Sequence, residues 1–135
     1  MKVVLDTNVL VSGLLSPYGP PGEIVRMVSR GLLKLQYDAR ILLEYREVLG
    51  RERFLFNKEK VAILLDFIVE AGTCIAASPL RVALVDKDDS AFLEVAIAAQ
   101  VPCLITGNGR HFPKRACSGI PVYNPAQFIE YFRRI

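Results

Sequence analysis

The chain has 135 residues and a net charge of +3, with 52% hydrophobic and 23% charged residues. This composition is typical of one globular domain and excludes a disordered chain. No apolar stretch reaches the roughly 18 residues of a membrane span, and Asp6 and Asn8 interrupt the apolar N-terminal run, which argues against a signal peptide. Three widely spaced cysteines without a Cys-x-x-Cys motif argue against a zinc site or a disulfide framework. We therefore expect a single domain over residues 1–135 that is soluble, cytoplasmic and free of membrane contacts.

The first half of the sequence alternates between strand and helix patterns. The apolar run 2–5 has no polar alternation, which predicts a strand buried on both faces, as in a parallel sheet. A loop over 16–21 precedes apolar residues at helical spacing, which predict a helix over 23–33. A short strand over 35–37 and a second helix over 39–49 follow.

The second half continues the alternation. The segment 58–71 has one apolar face and is followed by Gly72, a common helix-terminating residue, so it predicts a third helix. Asn124 and Pro125 predict the start of a last helix, because Asn is a good N-cap and Pro fits the first turn. The remaining pattern predicts strands over 73–77, 82–85, 102–106 and 120–123 and a helix over 90–100.

This alternation predicts the fold class and the place to look for a site. Strands and helices in turn, with short connections, predict a three-layer α/β/α domain around a mainly parallel central sheet. Ligands of such folds bind outside the carboxyl ends of the strands. Side chains that follow the strands are therefore the candidates for function.

Acidic and amide side chains follow three of the predicted strands. Asp6 ends the first strand, the acidic run 86–89 follows the segment 82–85, and Thr106 and Asn108 end the strand over 102–106. Glu44 lies on the second predicted helix, where its spacing from the apolar residues turns it towards the core rather than open water. We expect these groups to meet at one edge of the sheet.

Each acid also has a simpler structural explanation. Asp6 could cap the turn that follows it, and Asp88 or Asp89 could cap the next helix. Glu44 could form an ion pair with Arg40, four residues earlier.

Taken together, the acids indicate a cation site. Carboxylates that are brought together repel one another unless a counter-charge is present, and a site of oxygen ligands suits Mg²⁺ or Mn²⁺ rather than zinc. A divalent ion with open positions activates water and neutralises charge on a phosphate, while surrounding basic residues hold the neighbouring phosphates. This combination predicts a metal-dependent nuclease.

Four motifs in this order resemble those of the PIN domain, named for the PilT N-terminus. Within that family they are similar to small prokaryotic proteins described as the toxin components of toxin–antitoxin pairs. The motifs are V-L-D-T-N-V-L-V-S around Asp6, I-L-L-E-Y-R-E-V-L around Glu44, D-K-D-D-S-A-F-L-E-V-A around Asp89 and L-I-T-G-N-G-R-H-F-P around Asn108. The resemblance implies a PIN-like three-layer α/β/α nuclease that cleaves RNA with Mg²⁺ or Mn²⁺.

The resemblance also implies roles for individual residues. Asp6, Glu44 and Asp89 match the family's catalytic, metal-binding acids, and Asp86 and Asp88 lie near enough to contribute. Other residues are expected to orient these acids or to contact the substrate. Asn8 matches the residue that orients the first aspartate, Thr106 matches the hydroxyl after the fourth strand, and Arg110 or His111 is expected to contact a substrate phosphate.

Asn108 departs from the family pattern, because many PIN domains carry an aspartate there. An amide is a neutral and weaker ligand that cannot act as a base, so we expect one firmly bound metal ion and a second, weaker one.

The expected partners are RNA, a cognate antitoxin protein and a second copy of the chain in a homodimer. Two other functions are compatible with parts of this sequence. A haloacid-dehalogenase-type phosphatase needs a second aspartate two residues after the first, where this chain has Asn8. A catalytically weak or inactive PIN domain that binds RNA or a protein partner is the other alternative, and Asn108 is its main support.

Overall fold

The computed structural model describes all 135 residues of the chain. Its centre is one five-stranded sheet in which every pairing is parallel, with the strand order β3-β2-β1-β4-β5. The strands are β1 (Lys2–Leu5), β2 (Lys34–Tyr37), β3 (Thr73–Cys74), β4 (Leu104–Ile105) and β5 (Val122–Tyr123). The predicted α/β class with a mainly parallel sheet is therefore confirmed.

Six helices flank the sheet, in agreement with the predicted three-layer arrangement. They are α1 (Thr7–Leu15), α2 (Pro20–Ser29), α3 (Ala39–Leu49), α4 (Lys58–Ala71), α5 (Ser90–Ala99) and α6 (Pro125–Arg134). Short 3-10 helices occupy Glu52–Phe54, Lys87–Asp89, Gly109–His111 and Lys114–Ala116. None of the helices combines the length and the apolar character that crossing a membrane requires.

The unbroken apolar run at the start of the sequence forms the central strand. Val3, Val4 and Leu5 are completely buried, and β1 pairs with β2 on one side and β4 on the other. The chain adds β2 and β3 outwards in one direction and then crosses β1 to add β4 and β5 in the other. The carboxyl ends of β1 and β4 therefore flank the point where the strand order reverses, which is the usual ligand-binding crevice of such sheets.

Three helices begin where the sequence predicts them, because a side chain caps each one. The caps are Asp38, which accepts a hydrogen bond from the amide of Ile41 at 3.1 Å, and Asn57, which accepts one from Lys60 at 3.0 Å. At α6 the side chain of Asn124 accepts from the amide of Gln127 at 2.8 Å, in a full capping box. These bonds satisfy amides that have no partner inside the first turn.

Helix α1 was not predicted, and its packing explains the omission. Its segment T-N-V-L-V-S-G-L-L is apolar on most sides and contains Gly13, so it has no clear helical face. In the fold, a Cβ atom at Gly13 would lie 2.5 Å from both the carbonyl oxygen of Pro21 and the Cγ2 atom of Val25. The glycine therefore permits a close approach between α1 and α2, and this long-range contact is invisible in the local pattern.

The predicted strand over 82–85 is wrong. Val82 and Val85 are exposed, Leu84 alone is buried, and no strand pairs with this segment. The predicted strand over 73–77 is reduced to Thr73–Cys74. Valines favour a strand only where a neighbouring strand is available to pair with them, and here none is.

Candidate active site

An acidic cleft of about 380 Å³ opens at the carboxyl ends of β1 and β4. It is lined by carboxylates and amides from four separate parts of the chain, which the strand order and the packing of α3 and α5 bring together. The polar side chains in its wall are Asp6, Thr7, Asn8, Ser12, Glu44, Arg53, Asp86, Asp88, Asp89, Asn108 and His111. Every acid that the sequence analysis singled out is in this set.

Asp6 is held at the end of β1 by two side chains. Its Oδ2 atom accepts hydrogen bonds from the Thr106 hydroxyl at 2.7 Å and from the Asn8 amide at 3.4 Å. Asp6 occupies the N-cap position of α1, but its side chain makes no capping hydrogen bond, which argues against the cap explanation. Burial raises the pKa of Asp6, the Thr106 hydrogen bond opposes this shift, and the charge of Asp89 adds to it.

Thr106 and Asn8 fix the turn after β4 against the start of α1. The completely buried Thr106 hydroxyl accepts a hydrogen bond from the amide of Asn108 at 3.0 Å while it donates to Asp6. The side-chain Oδ1 atom of Asn8 accepts one from the backbone amide of Gly107 at 3.1 Å. Asp6 therefore sits in a preformed network that restricts its rotation.

Glu44 reaches the cleft from the middle of α3. It is half-buried, and its Oε2 atom accepts a hydrogen bond from the Thr7 hydroxyl. The suggested ion pair with Arg40 is absent, because Arg40 binds Asp38 and Glu94 instead. Burial raises the pKa of Glu44 and the Thr7 hydrogen bond opposes this shift. The charges of the neighbouring aspartates raise it further.

Asp89 lines the cleft beside His111. The Nδ1 atom of His111 is 3.0 Å from Asp89 Oδ2, but the contact lacks hydrogen-bond geometry, so this buried oxygen has no donor. One ligand atom from each of Asp86, Asp89 and His111 lies within 4.8 Å of the others. Burial raises the pKa of Asp89, the charge of Asp86 adds to the shift, and the imidazole of His111 opposes it.

The acidic run 86–89 lies in the cleft, as predicted, but the segment before it is not the predicted strand. It follows an irregular segment rather than a strand, and its last three residues form the 3-10 helix Lys87–Asp89 that precedes α5. The Asp86 side chain accepts a hydrogen bond from the amide of Asp88 at 2.9 Å, which stabilises this turn. Asp89 occupies the N-cap position of α5 without making a capping hydrogen bond, which leaves its carboxylate free to face the cleft.

Of the two residues expected to contact a substrate phosphate, one lies in the cleft and the other does not. His111 lines the cleft, whereas Arg110 is exposed outside its wall. Thr7, Arg53 and Phe54 also line the cleft, although none of them was predicted to lie there. Thr7 belongs to the D-T-N motif, Arg53 belongs to a basic cluster with Arg51, and Phe54 begins the loop before the third predicted helix.

The donor set fits a hard divalent cation. Five carboxylates line the cleft against only two basic side chains, Arg53 and His111. The pKa values of Asp6, Glu44 and Asp89 are all raised, so the ionised forms lack compensation. The buried Asp89 oxygen without a donor is a ready ligand atom, and oxygen donors match Mg²⁺ or Mn²⁺.

Comparison with known proteins agrees with this geometry. The chain is 26% identical over 145 residues to an uncharacterized protein of Methanocaldococcus jannaschii, a match that covers 99% of this chain and 93% of that protein. No solved structure matches the chain. The family model described as the PIN domain matches residues 2–110. The chain therefore belongs to the PIN domain family, whose members are generally nucleases.

Proposed function

We propose that this protein is an endoribonuclease that hydrolyses phosphodiester bonds of RNA with Mg²⁺ or Mn²⁺. The observation that carries the proposal is the meeting of Asp6, Glu44 and Asp89 in one cleft with raised carboxyl pKa values. Membership of a family of nucleases supports the reaction class. The acidic donor set supports the cation.

In this proposal the three acids hold the cation and Asn108 contributes a weaker, neutral oxygen. A divalent ion in the cleft would lower the pKa of a water molecule and neutralise charge that develops on the phosphate. Because the carboxyl pKa values are raised, protons compete with the cation for these oxygens, so the affinity for the cation should increase with pH. Thr106 and Asn8 keep Asp6 oriented throughout, since both hydrogen-bond it.

Basic side chains at the cleft would hold the flanking phosphates. Arg53 lines the cleft and takes part in none of the five ion pairs that arginine side chains form with carboxylates. His111 lines it as well, whereas Arg110 does not, which favours His111 as the phosphate contact.

The biological role that we propose is that of the toxin in a toxin–antitoxin pair. The cognate antitoxin would block RNA by covering the acidic cleft, and the toxin would act as a monomer or a homodimer. Expression of the wild-type chain should then arrest growth, whereas expression of the Asp6→Asn variant should not.

The biochemical test is cleavage of single-stranded RNA by metal-free protein after addition of Mg²⁺ or Mn²⁺. We expect cleavage that EDTA stops and that the Asp6→Asn variant lacks, although this variant keeps an oxygen acceptor for Thr106. Cleavage that survives EDTA would contradict the metal requirement. RNA binding without cleavage in either metal would favour the non-catalytic module that Asn108 suggests.

A further inference from the structure

An aromatic stack leads from the hydrophobic core to the acidic cleft. The rings of Phe54 and Phe56 are stacked, with centroids 5.3 Å apart and planes inclined by 13°. Phe56 packs against the core cluster, whereas Phe54 is half-buried, lies outside that cluster and lines the cleft beside Glu44 and Asp6. Core packing therefore does not account for the position of Phe54.

A guanidinium group lies over the same ring. The Cζ atom of Arg53 is 4.8 Å from the centroid of Phe54, within the range of a cation–π contact. The Arg53 side chain is exposed, lines the cleft and pairs with no carboxylate, although five carboxylates share that wall. Its charge is available to a ligand.

The turn that carries these two side chains has a defined conformation. The 3-10 helix Glu52–Phe54 ends at Leu55, whose φ of 55° and ψ of 31° lie in the left-handed region. Few non-glycine residues adopt this conformation, so the chain direction between α3 and α4 is set by the surrounding structure. The cap at Asn57 then begins α4. A preformed turn loses little entropy when a ligand binds.

An aromatic ring and an unpaired guanidinium group beside a phosphodiester site suit an unpaired nucleobase. Bases of single-stranded nucleic acids stack on aromatic rings and on arginine planes, and their phosphates attract the nearby charge. A basic peptide fits less well, because Arg53 would repel the lysines and arginines that the acids attract. A base inside a duplex is already stacked between its neighbours and offers no free face.

We propose that Arg53, Phe54 and Phe56, here called the Phe54 platform, stack one unpaired base of the RNA next to the phosphodiester in the cleft. This inference rests on the proposed ribonuclease function and adds to it a binding site for the base beside the phosphodiester. Phe56 supports one face of the Phe54 ring. The exposed Arg53 side chain, which lies over the other face, turns to a phosphate and leaves that face to the base.

The test measures stacking directly, with a single-stranded RNA oligonucleotide that contains 2-aminopurine, whose fluorescence is quenched when it stacks. Ca²⁺ replaces Mg²⁺ so that the acids are neutralised, and a gel verifies that the RNA stays intact. We expect quenching by the wild-type protein. For Phe54→Ala we expect loss of quenching and about tenfold weaker binding, whereas Phe54→Trp should retain both.

Matched variants separate stacking from folding. Phe54→Leu keeps an apolar side chain without a π face and should behave like Phe54→Ala. Leu55→Ala changes the adjacent residue, which is 88% exposed and does not line the acidic cleft, and should bind like the wild type. Phe54→Ala that retains both quenching and affinity would overturn the Phe54 platform, as would equal competition by a duplex of the same sequence.

Cleavage assays distinguish a failure of this inference from a failure of the proposed function. If the wild-type protein quenches 2-aminopurine but cleaves no RNA with Mg²⁺ or Mn²⁺, the platform stands and the ribonuclease proposal fails. If the wild type cleaves and Phe54→Ala has the same KM and the same quenching, the platform fails and the ribonuclease proposal stands. If both proposals are correct, Phe54→Ala raises KM about tenfold. A substrate with an abasic nucleotide at the stacking position should then give the wild type and Phe54→Ala the same KM.

Discussion

Arg40 on α3 is bonded to Glu94 on α5, with 2.8 Å between Nη1 and Oε1. The same guanidinium group binds Asp38 through Nε at 2.9 Å and Nη2 at 2.7 Å. The other oxygen of Glu94 accepts a hydrogen bond from the amide of Leu80 at 3.2 Å, in the segment that leads to the run 86–89. Arg40 therefore links the helix of Glu44 to the helix that begins beside Asp89.

Replacing Arg40 by Met should disturb the cleft more than the overall fold. The guanidinium group is half-exposed and screened by solvent, but its partners Asp38 and Glu94 are only 15% and 10% exposed, so we expect a loss of about 1–3 kcal/mol in the free energy of unfolding. Affinity for Mn²⁺, measured by titration calorimetry, should fall several-fold because Glu44 and Asp89 lose their fixed separation. The control is Arg134→Gln, since Arg134 pairs only with Glu130 on α6 and does not line the cleft, so its loss should affect neither property. Unchanged Mn²⁺ affinity in Arg40→Met would show that the link does not position the acids.

Replacing Asp6 by Asn should leave the metal-free protein at least as stable as the wild type. Burial raises the pKa of Asp6 above its ordinary 3.8 and that of Glu44 above 4.5. The folded state thus binds protons that the unfolded chain has released, and stability falls as the pH rises from these ordinary values through the raised ones. In EDTA, the melting temperature of the wild type should decline from about pH 4 upwards, and that of Asp6→Asn should decline less.

Added Mn²⁺ provides the complementary measurement. Mn²⁺ should raise the melting temperature of the wild type at pH 7, but it should raise that of Asp6→Asn only slightly. A drop of several degrees for Asp6→Asn in EDTA would make Asp6 a structural residue instead.

Replacing Thr106 by Val tests how Asp6 is held. Valine has nearly the same shape but neither donates to Asp6 nor accepts from the amide of Asn108, so we expect a loss of about 1–3 kcal/mol in the free energy of unfolding at pH 7. Because the Thr106 hydrogen bond lowers the pKa of Asp6, its removal should raise that pKa further. The affinity of Thr106→Val for Mn²⁺, relative to the wild type, should therefore fall more at pH 6 than at pH 8. Thr106→Ser retains the hydroxyl and should keep the wild-type pH dependence.

Replacing Asn108 by Asp should restore the charge that this chain lacks. One more carboxylate near a divalent cation contributes on the order of 1 kcal/mol at an exposed position, or about a fivefold gain in Mn²⁺ affinity. The same charge should lower the melting temperature in EDTA, because it adds to the repulsion among the acids. Asn108→Ser keeps a neutral oxygen and serves as the control. If Asn108→Asp binds Mn²⁺ no more tightly than the wild type, the residue is not a ligand.

The fold could be predicted from the sequence where local signals were strong. The apolar run of β1, the apolar face and Gly72 of α4, and the cap at Asn124 identified a buried strand and two helices within a residue or two of their observed bounds. Helix α1 could not be predicted, because the close contact of Gly13 with α2 depends on residues that fold next to it. The valines at 82–85 form no strand, because strand formation requires a partner strand.

The acids of the cleft were predictable because carboxyl ends of parallel strands share one edge. Their detailed contacts were not. The bond between Thr7 and Glu44 joins residues 37 positions apart, and that between Arg40 and Glu94 joins residues 54 apart. Both depend on how α3 is rotated against its neighbours, which the sequence pattern does not define.

The hydrogen bond between Thr106 and Asp6 spans 100 positions of the chain. During synthesis on a ribosome, Asp6 is made 100 positions before Thr106, the residue that holds it. A nascent chain that lacks β4 consequently cannot complete the cleft. If the chain is the ribonuclease proposed above, the order of its elements delays cleavage until β4 has folded, without any added inhibitor.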